Sequence, residues 1–193
     1  MVQTQEKLYT IEEYLALEEK SEQKHEFDKG KIIEMPGAKF HHNVIAAKMI
    51  AALVISFKDK QKNCNVLGSD MKIYIPAANS FVYPDVLVLC DSPQFYNNRE
   101  DVLMNPLLVV EVLSESTANY DREEKFAKYT TLPSLREYVL ISQDKPFVEA
   151  FYLHDPENEL WKISHAATLE ALLYLHSIDT TIRLSDIYPQ VSS

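Results

Sequence analysis

Glu111 lies inside Leu107-Leu108-Val109-Val110-Glu111-Val112-Leu113, an apolar run that holds a single carboxylate. Seven β-prone residues between Pro106 and a Ser/Thr-rich stretch read as a buried strand. A carboxylate there loses hydration worth several kcal/mol unless it is paired, protonated or bound to a cation. A second acid stands before a similar run, in Tyr83-Pro84-Asp85-Val86-Leu87-Val88-Leu89. Two acids on adjacent core strands of an α/β protein point to a divalent-cation site. The alternative is that each acid meets a nearby Arg, Lys or backbone N–H.

With 193 residues the default is one domain, 1–193, with ample length for a core. Hydrophobic residues make up 46% and charged residues 25%, which excludes the disordered and fibrous classes. The 29 acidic residues outnumber the 19 basic ones, giving a net charge of −10, which argues against a protein that coats nucleic acid non-specifically. It leaves room for a local basic groove, or for an acidic site offset by metal. Cys64 and Cys90 form no CxxC and no zinc-type cluster, so reduced thiols in a cytoplasmic protein are the simple expectation. The segment Met1–Lys7 lacks an apolar signal core. No apolar stretch approaches the ~20 residues needed to span a bilayer, so no membrane partner is expected.

Local patterns order the elements. Thr10-Ile11-Glu12-Glu13 is a capping box, and a short helix runs from it to about residue 20. Lys29-Gly30 joins two alternating segments as a β-hairpin. From His42 to about Lys60, Val44, Ile45, Ala47, Ala51, Val54 and Phe57 keep helical spacing and predict the longest helix. Strands are predicted over 70–75, 82–90 and 107–113. A long polar loop over 91–106 separates the last two. A helix over 121–129 follows, then strands over 137–141, 147–153 and 160–163. The C-terminus reads as a helical patch over 169–175, a strand and a turn at 184–188.

Helix, three strands, helix, strand, with acids at the start of the middle strand and inside the third, resembles the PD-(D/E)XK nuclease superfamily. Pro84-Asp85 resembles its PD motif and Glu111 the first acid of (D/E)XK. More closely, the chain is similar to a large bacterial branch of restriction-endonuclease-like proteins common in cyanobacteria. The matching segments are His25-Glu26-Phe27-Asp28-Lys29-Gly30, His42-Asn43, Ser69-Asp70-Met71, Tyr83-Pro84-Asp85-Val86, Val110-Glu111-Val112-Leu113-Ser114-Glu115-Ser116-Thr117, Asp121-Arg122-Glu123-Glu124-Lys125 and Arg136-Glu137-Tyr138. The resemblance implies an α/β restriction-endonuclease-like core: a central mixed sheet flanked by helices, with an N-terminal helix and hairpin and extra C-terminal strands. It implies a DNA phosphodiester as substrate, Mg2+ as cofactor with Mn2+ able to substitute, and no organic cofactor. A homodimer would suit cutting two strands.

The superfamily lysine stands two residues after the acid, and here that position is Leu113. The resemblance implies that Lys125 supplies it from the next helix, where Asp121, Lys125, Lys128 and Tyr129 share one face. Lys128 is the fallback. The other reading makes Lys125 a solvated partner of Asp121. By the same resemblance Asp85, Glu111 and the Val112 carbonyl are metal ligands. Glu26 reads as a further ligand or water-positioning group, or else as an exposed hairpin acid. His42 reads as a phosphate contact or proton carrier, or as a surface residue at a helix start. Asp70 supports a neighbouring ligand or makes a turn. Lys39, His41 and Lys48 form a basic lip or solvate a helix end. Phe151, Tyr152 and Trp161 suit core or dimer packing. Ser114, Ser116 and Thr117 read as helix-capping residues rather than nucleophiles.

Overall fold

Side chains alternate along a strand, so a strand apolar on both parities has to be covered on both faces. The two central strands of this chain meet that requirement. The structure is a computed structural model, and it describes residues 7–115 and 117–189. Residues 1–6, read above for a signal core, and Ser116 lie outside the described residues.

The elements run α1 (Ile11–Glu18), β1 (His25–Asp28), β2 (Lys31–Glu34), α2 (Phe40–Asp59), β3 (Asn65–Gly68), β4 (Lys72–Ile75), β5 (Ser80–Val82), β6 (Val86–Leu89), β7 (Val102–Leu103) and β8 (Leu108–Leu113). A helical stretch follows in three pieces: α3 (Ala118–Tyr120), a π-helical turn (Asp121–Lys125) and α4 (Phe126–Tyr129). Then come β9 (Glu137–Ser142), β10 (Val148–Asp155), β11 (Leu160–Ala166), β12 (Leu172–Leu175), β13 (Thr180–Arg183) and α5 (Leu184–Ile187). The main sheet has the order β11-β10-β9-β8-β6-β3. β8 and β9 are parallel, so the chain between them must cross over, and the α3–α4 stretch makes that crossover. A second sheet has the order β2-β1-β5-β4-β7, and β12-β13 is a separate hairpin. This mixed sheet flanked by helices is the expected restriction-endonuclease-like α/β architecture.

One face of the main sheet buries Val86, Val88, Val110, Val112, Val139 and Ile141 against Ile45, Met49, Leu53 and Phe57 of α2. The four α2 residues recur every fourth position and make one stripe. The opposite face buries Leu87, Leu89, Val109, Leu113, Tyr138 and Leu140 against Tyr129, Leu132 and Leu135, together with Ile73, Ile75 and Val82 of the second sheet. Glu111 has the parity of this second face.

Several expectations are corrected. The strand predicted over 82–90 is two strands, β5 and β6, in different sheets, because Pro84 has no N–H to donate and the chain turns there. The loop over 91–106 holds β7 and a turn of 3₁₀ helix at Tyr96–Asn98. The patch over 169–175 is strand β12, with Leu173 and Leu175 buried and Leu172 and Tyr174 exposed, a period of two. Cys64 and Cys90 are joined in a disulfide, with Cα atoms 4.1 Å apart, where free thiols were expected. Asn65 pairs with Leu89, so the two cysteines extend that antiparallel register by one step. The cytoplasmic expectation thereby loses its cysteine argument. α2, at 20 residues, is long and apolar enough to cross a membrane by length and composition, although no such stretch was expected.

Glu137 at the start of β9 is fully buried and accepts bonds from the backbone N–H of His176 (3.0 Å) and Ser177 (2.9 Å) and from Ser177 Oγ (2.7 Å). It ties the β12–β13 turn to the main sheet. Glu137→Ala, which leaves those donors without their acceptor, should cost about 2–3 kcal/mol in urea unfolding, and Glu137→Gln, which keeps one acceptor oxygen, markedly less.

Candidate active site

Val86 pairs with Val110 and Leu87 with Val109, so the register of β6 on β8 continues to Asp85 facing Glu111. Glu111 has the parity of Leu87 and Val109 and belongs to the second face, while Asp85, just before β6, stands at the sheet's edge within reach of α2 on the first face. Asp85 Oδ2 accepts the Val112 N–H at 2.7 Å, and Oδ1 lies 2.8 Å from His42 Nε2. His42 comes from the first turn of α2, and its side chain is 15% exposed against 18% for Asp85, so this pair is the more open part of the site. Each oxygen of Asp85 keeps a second lone pair for another donor or a cation.

Leu113, where the superfamily has lysine, is buried in the second core. The cation on that face is Lys125, at the end of the π turn. Its Nζ lies 2.9 Å from Glu111 Oε1, 3.2 Å from Glu26 Oε1 and 3.8 Å from Asp121 Oδ1, and donates to the Tyr83 carbonyl at 3.1 Å. The side chains of Lys125 and Glu111 are each 4% exposed. The solvated Asp121–Lys125 pair and the exposed hairpin acid at Glu26 are therefore not what the chain forms. π turns widen a helix locally and recur at functional sites. Here Asp121 and Lys125, at its two ends, are both buried. Lys128 points elsewhere, to Asp28 Oδ1 at 3.0 Å and to the Tyr120 hydroxyl at 3.3 Å.

The hydroxyl of Tyr129 donates to Glu111 Oε1 at 3.4 Å and that of Tyr120 to Glu26 Oε2 at 3.1 Å. Tyr138 donates to the backbone carbonyl of Asp121 at 2.9 Å. Tyr120 and the Tyr83 backbone carried no sequence signal, since a peptide group looks alike at every position. Tyr129 was visible one turn beyond Lys125.

Three carboxylates around one ammonium leave surplus acid. Burial pushes the Glu111 carboxyl well above the ordinary range, against the lowering pull of Lys125, and Asp121 and Asp85 add to the rise. Burial likewise raises Asp121, offset only in part by Lys125 and Thr117. At Lys125 burial works against the charge, but Glu111, Glu26 and Asp121 outweigh it and hold the ammonium well above the usual lysine range. The lysine stays charged and the acids compete for protons. Among the described residues no group of three or more His, Cys, Asp or Glu side chains is arranged to hold a metal. Asp85 and Glu111 stand opposite each other in the backbone register, and one or two carboxylates are the number Mg2+ takes while it keeps water in its other positions.

Other candidates separate from this cluster. The Asp70 side chain is 95% exposed and pairs with Lys24, a surface contact. Lys48 donates to the Tyr188 carbonyl at 2.7 Å, and Lys39 and His41 are exposed. Phe151 and Trp161 pack on Phe126, and Tyr152 stacks on His176 with centroids 3.8 Å apart. Ser114 and Thr117 bond to each other at 3.0 Å at the entry to α3.

In cation-free protein the raised acids have a defined pH signature. The folded state holds protons at Glu111 and Asp121 that the unfolded chain releases in the ordinary carboxylate range, about 4. Stability from this source therefore falls as pH rises through that range towards neutrality. Glu111→Gln removes the larger part of the effect, and Lys125 keeps Glu26 and Asp121 as partners. With EDTA at pH 8 the variant should melt at or above wild type, with a flatter profile of Tm against pH. A Tm well below wild type across the whole range would contradict this charge balance.

The family model Uma2, described as "Putative restriction endonuclease", matches residues 11–183. The chain is 40% identical over 143 residues to the uncharacterized protein sll1609 of Synechocystis sp., covering 74% of this chain and 80% of that one. It is 34% identical over 177 residues to the uncharacterized protein slr1290 of the same organism, covering 92% and 90%. A crystal structure of a "putative nuclease belonging to DUF820" from Anabaena variabilis superposes with a TM-score of 0.73 at 18% identity, over 92% of this chain and 96% of that one. At that identity the likeness concerns the fold. The chain belongs to the Uma2 family, a restriction-endonuclease-like branch of the PD-(D/E)XK superfamily.

Proposed function

We propose that the protein is a divalent-cation-dependent endonuclease that hydrolyses DNA phosphodiester bonds. The observation that carries this reading is Lys125, a buried ammonium 2.9 Å from Glu111, supplied from a helix where the strand has Leu113. A protein that only needed a stable core would be as well served by apolar residues there, since buried ion pairs are weak sources of stability. Asp85 and Glu111, with the Val112 carbonyl, would hold Mg2+ or Mn2+. When bound, the cation supplies positive charge at the phosphate and acidifies water. Lys125 orients the attacking water or a phosphate oxygen. Glu26, 3.2 Å from its Nζ, helps to hold Lys125 in place. His42 stands at the open edge beside Asp85, where it can give a proton to the departing oxygen. Water bonds to phosphorus and gives up one proton to bulk solvent, the P–O bond to the leaving oxygen breaks, that oxygen takes the proton of His42, and His42 is reprotonated from solvent.

A net charge of −10 favours a second reading, a nuclease-derived binding module without turnover. Cleavage assays separate the two. With single-stranded, duplex and branched DNA in Mg2+ or Mn2+, Lys125→Met should lower activity by about 10²–10³-fold, as loss of one charged transition-state contact does. Asp85→Asn should abolish activity, and Lys128→Met should have a small effect. Equal activity in wild type and Asp85→Asn would mean a contaminant and favour the binding module.

A thermal assay tests the cation independently of turnover. Millimolar Mn2+ at neutral pH should raise Tm in wild type and in Lys125→Met, and not in Asp85→Asn. No response in wild type would leave the acids without a cation to hold.

A further inference from the structure

Tyr83 precedes the Pro84-Asp85 pair, and its peptide is wedged into the cluster from both sides. Its N–H donates to Glu26 Oε1 at 3.2 Å and its carbonyl accepts from Lys125 Nζ at 3.1 Å. Glu26 Oε1 also lies 3.2 Å from Lys125, so one carboxylate oxygen, the N–Cα–C=O backbone of Tyr83 and one ammonium close a ring. Pro84 then fixes φ and sets the course of the chain into Asp85. Any turn of the Tyr83 peptide moves the carbonyl that locates Lys125 and the start of the segment that carries Asp85.

The far end of Tyr83 is clamped. Its side chain is buried, and the hydroxyl donates to Glu18 Oε1 at 2.8 Å. Glu18, the last residue of α1, is itself 6% exposed at the side chain. It accepts the His25 N–H at 3.1 Å, and its Oε2 lies 3.1 Å from His25 Nδ1. The His25 carbonyl in turn accepts from the Tyr14 hydroxyl at 2.8 Å, and His25 is followed directly by Glu26. The ammoniums of Lys24 and Lys72 lie 5.4 and 5.5 Å from the centroid of the Tyr83 ring. A glutamate with a buried side chain at a helix end thus orients the phenol of a residue whose backbone touches both Glu26 and Lys125.

We infer that Glu18 and Tyr83 are positioning residues: the α1 carboxylate, through the Tyr83 phenol and peptide, sets where Lys125 and Glu26 stand relative to Asp85. This rests on the nuclease reading for its kinetic consequence and on geometry alone for the placement of Lys125. Small misplacements of a catalytic group cost rate more than binding. A bond that only stabilised the fold would leave the kinetics of folded enzyme, and the environment of Lys125, unchanged.

The test compares Tyr83→Phe, Glu18→Ala and Glu18→Gln in the full chain, with rates normalised to folded protein by circular dichroism. Tyr83→Phe and Glu18→Ala should each lower kcat by about 10-fold with KM within about 2-fold, and the double variant should be no worse than either single one. Glu18→Gln keeps an acceptor for the phenol and should recover most of the rate. In parallel, the NMR signal of the Lys125 ammonium should shift in Tyr83→Phe and Glu18→Ala and stay near its wild-type position in Glu18→Gln. Wild-type kcat and an unmoved Lys125 signal in Tyr83→Phe would overturn the inference. If wild type shows no cleavage above Asp85→Asn, the nuclease reading fails, and the NMR arm decides alone: a moved Lys125 signal supports the positioning role, an unmoved one refutes it.

Discussion

The contact between the Lys125 ammonium and the Glu111 carboxylate, buried on both sides, is what the centre of this protein depends on. A carboxylate in the middle of β8 cannot stay charged without a cation near it, and a lysine so deeply buried cannot stay charged without acids. Each makes the other tolerable, and Glu26 and Asp121 complete the shell around the ammonium. The balance is still uneven: acids outnumber the lysine, and burial pushes Glu111 and Asp121 towards holding protons. Perturbed carboxylates that share one buried cation beside an open aspartate are where chemistry is expected in a fold of this kind.

The fold brings four separate segments to that point. β1 supplies Glu26, the link between β5 and β6 supplies Tyr83 and Asp85, β8 supplies Glu111, and the π turn supplies Lys125. The parallel pairing of β8 with β9 obliges the chain to cross over, and the crossover is the helical stretch that returns Lys125 to the strand it has just left. The second sheet contributes more than a lid over the core. β1 and β5 are neighbours in it, which places Glu26 beside the Tyr83 peptide.

Much of this was legible in the chain. Glu111 announced itself by being the one charge in an apolar strand and Asp85 by its place before the neighbouring strand, while Lys125 came only from the family resemblance, the residues alone suiting a solvated pair with Asp121 equally well. The capping box at Thr10 and the Lys29-Gly30 hairpin are local signals and appear as read. What escaped was non-local. The Cys64–Cys90 bond depends on β3 lying antiparallel to β6, and β3 itself is four residues long with a mixed burial pattern. The run 169–175 reads as a helix because a short leucine-rich segment fits both periods until β13 pairs with β12. The Tyr83 peptide carries no side-chain signature, so its place between Glu26 and Lys125 could be found only in three dimensions.

The most direct test of the account is a crystal soaked with Mn2+ and measured for anomalous scattering. A single strong peak is expected in contact with carboxylate oxygens of both Asp85 and Glu111, at about 2.0–2.3 Å as for small hard cations, with Lys125 still within hydrogen-bond reach of Glu111. A fully soaked crystal with no peak between those two acids, or with the metal bound only at surface carboxylates, would contradict it.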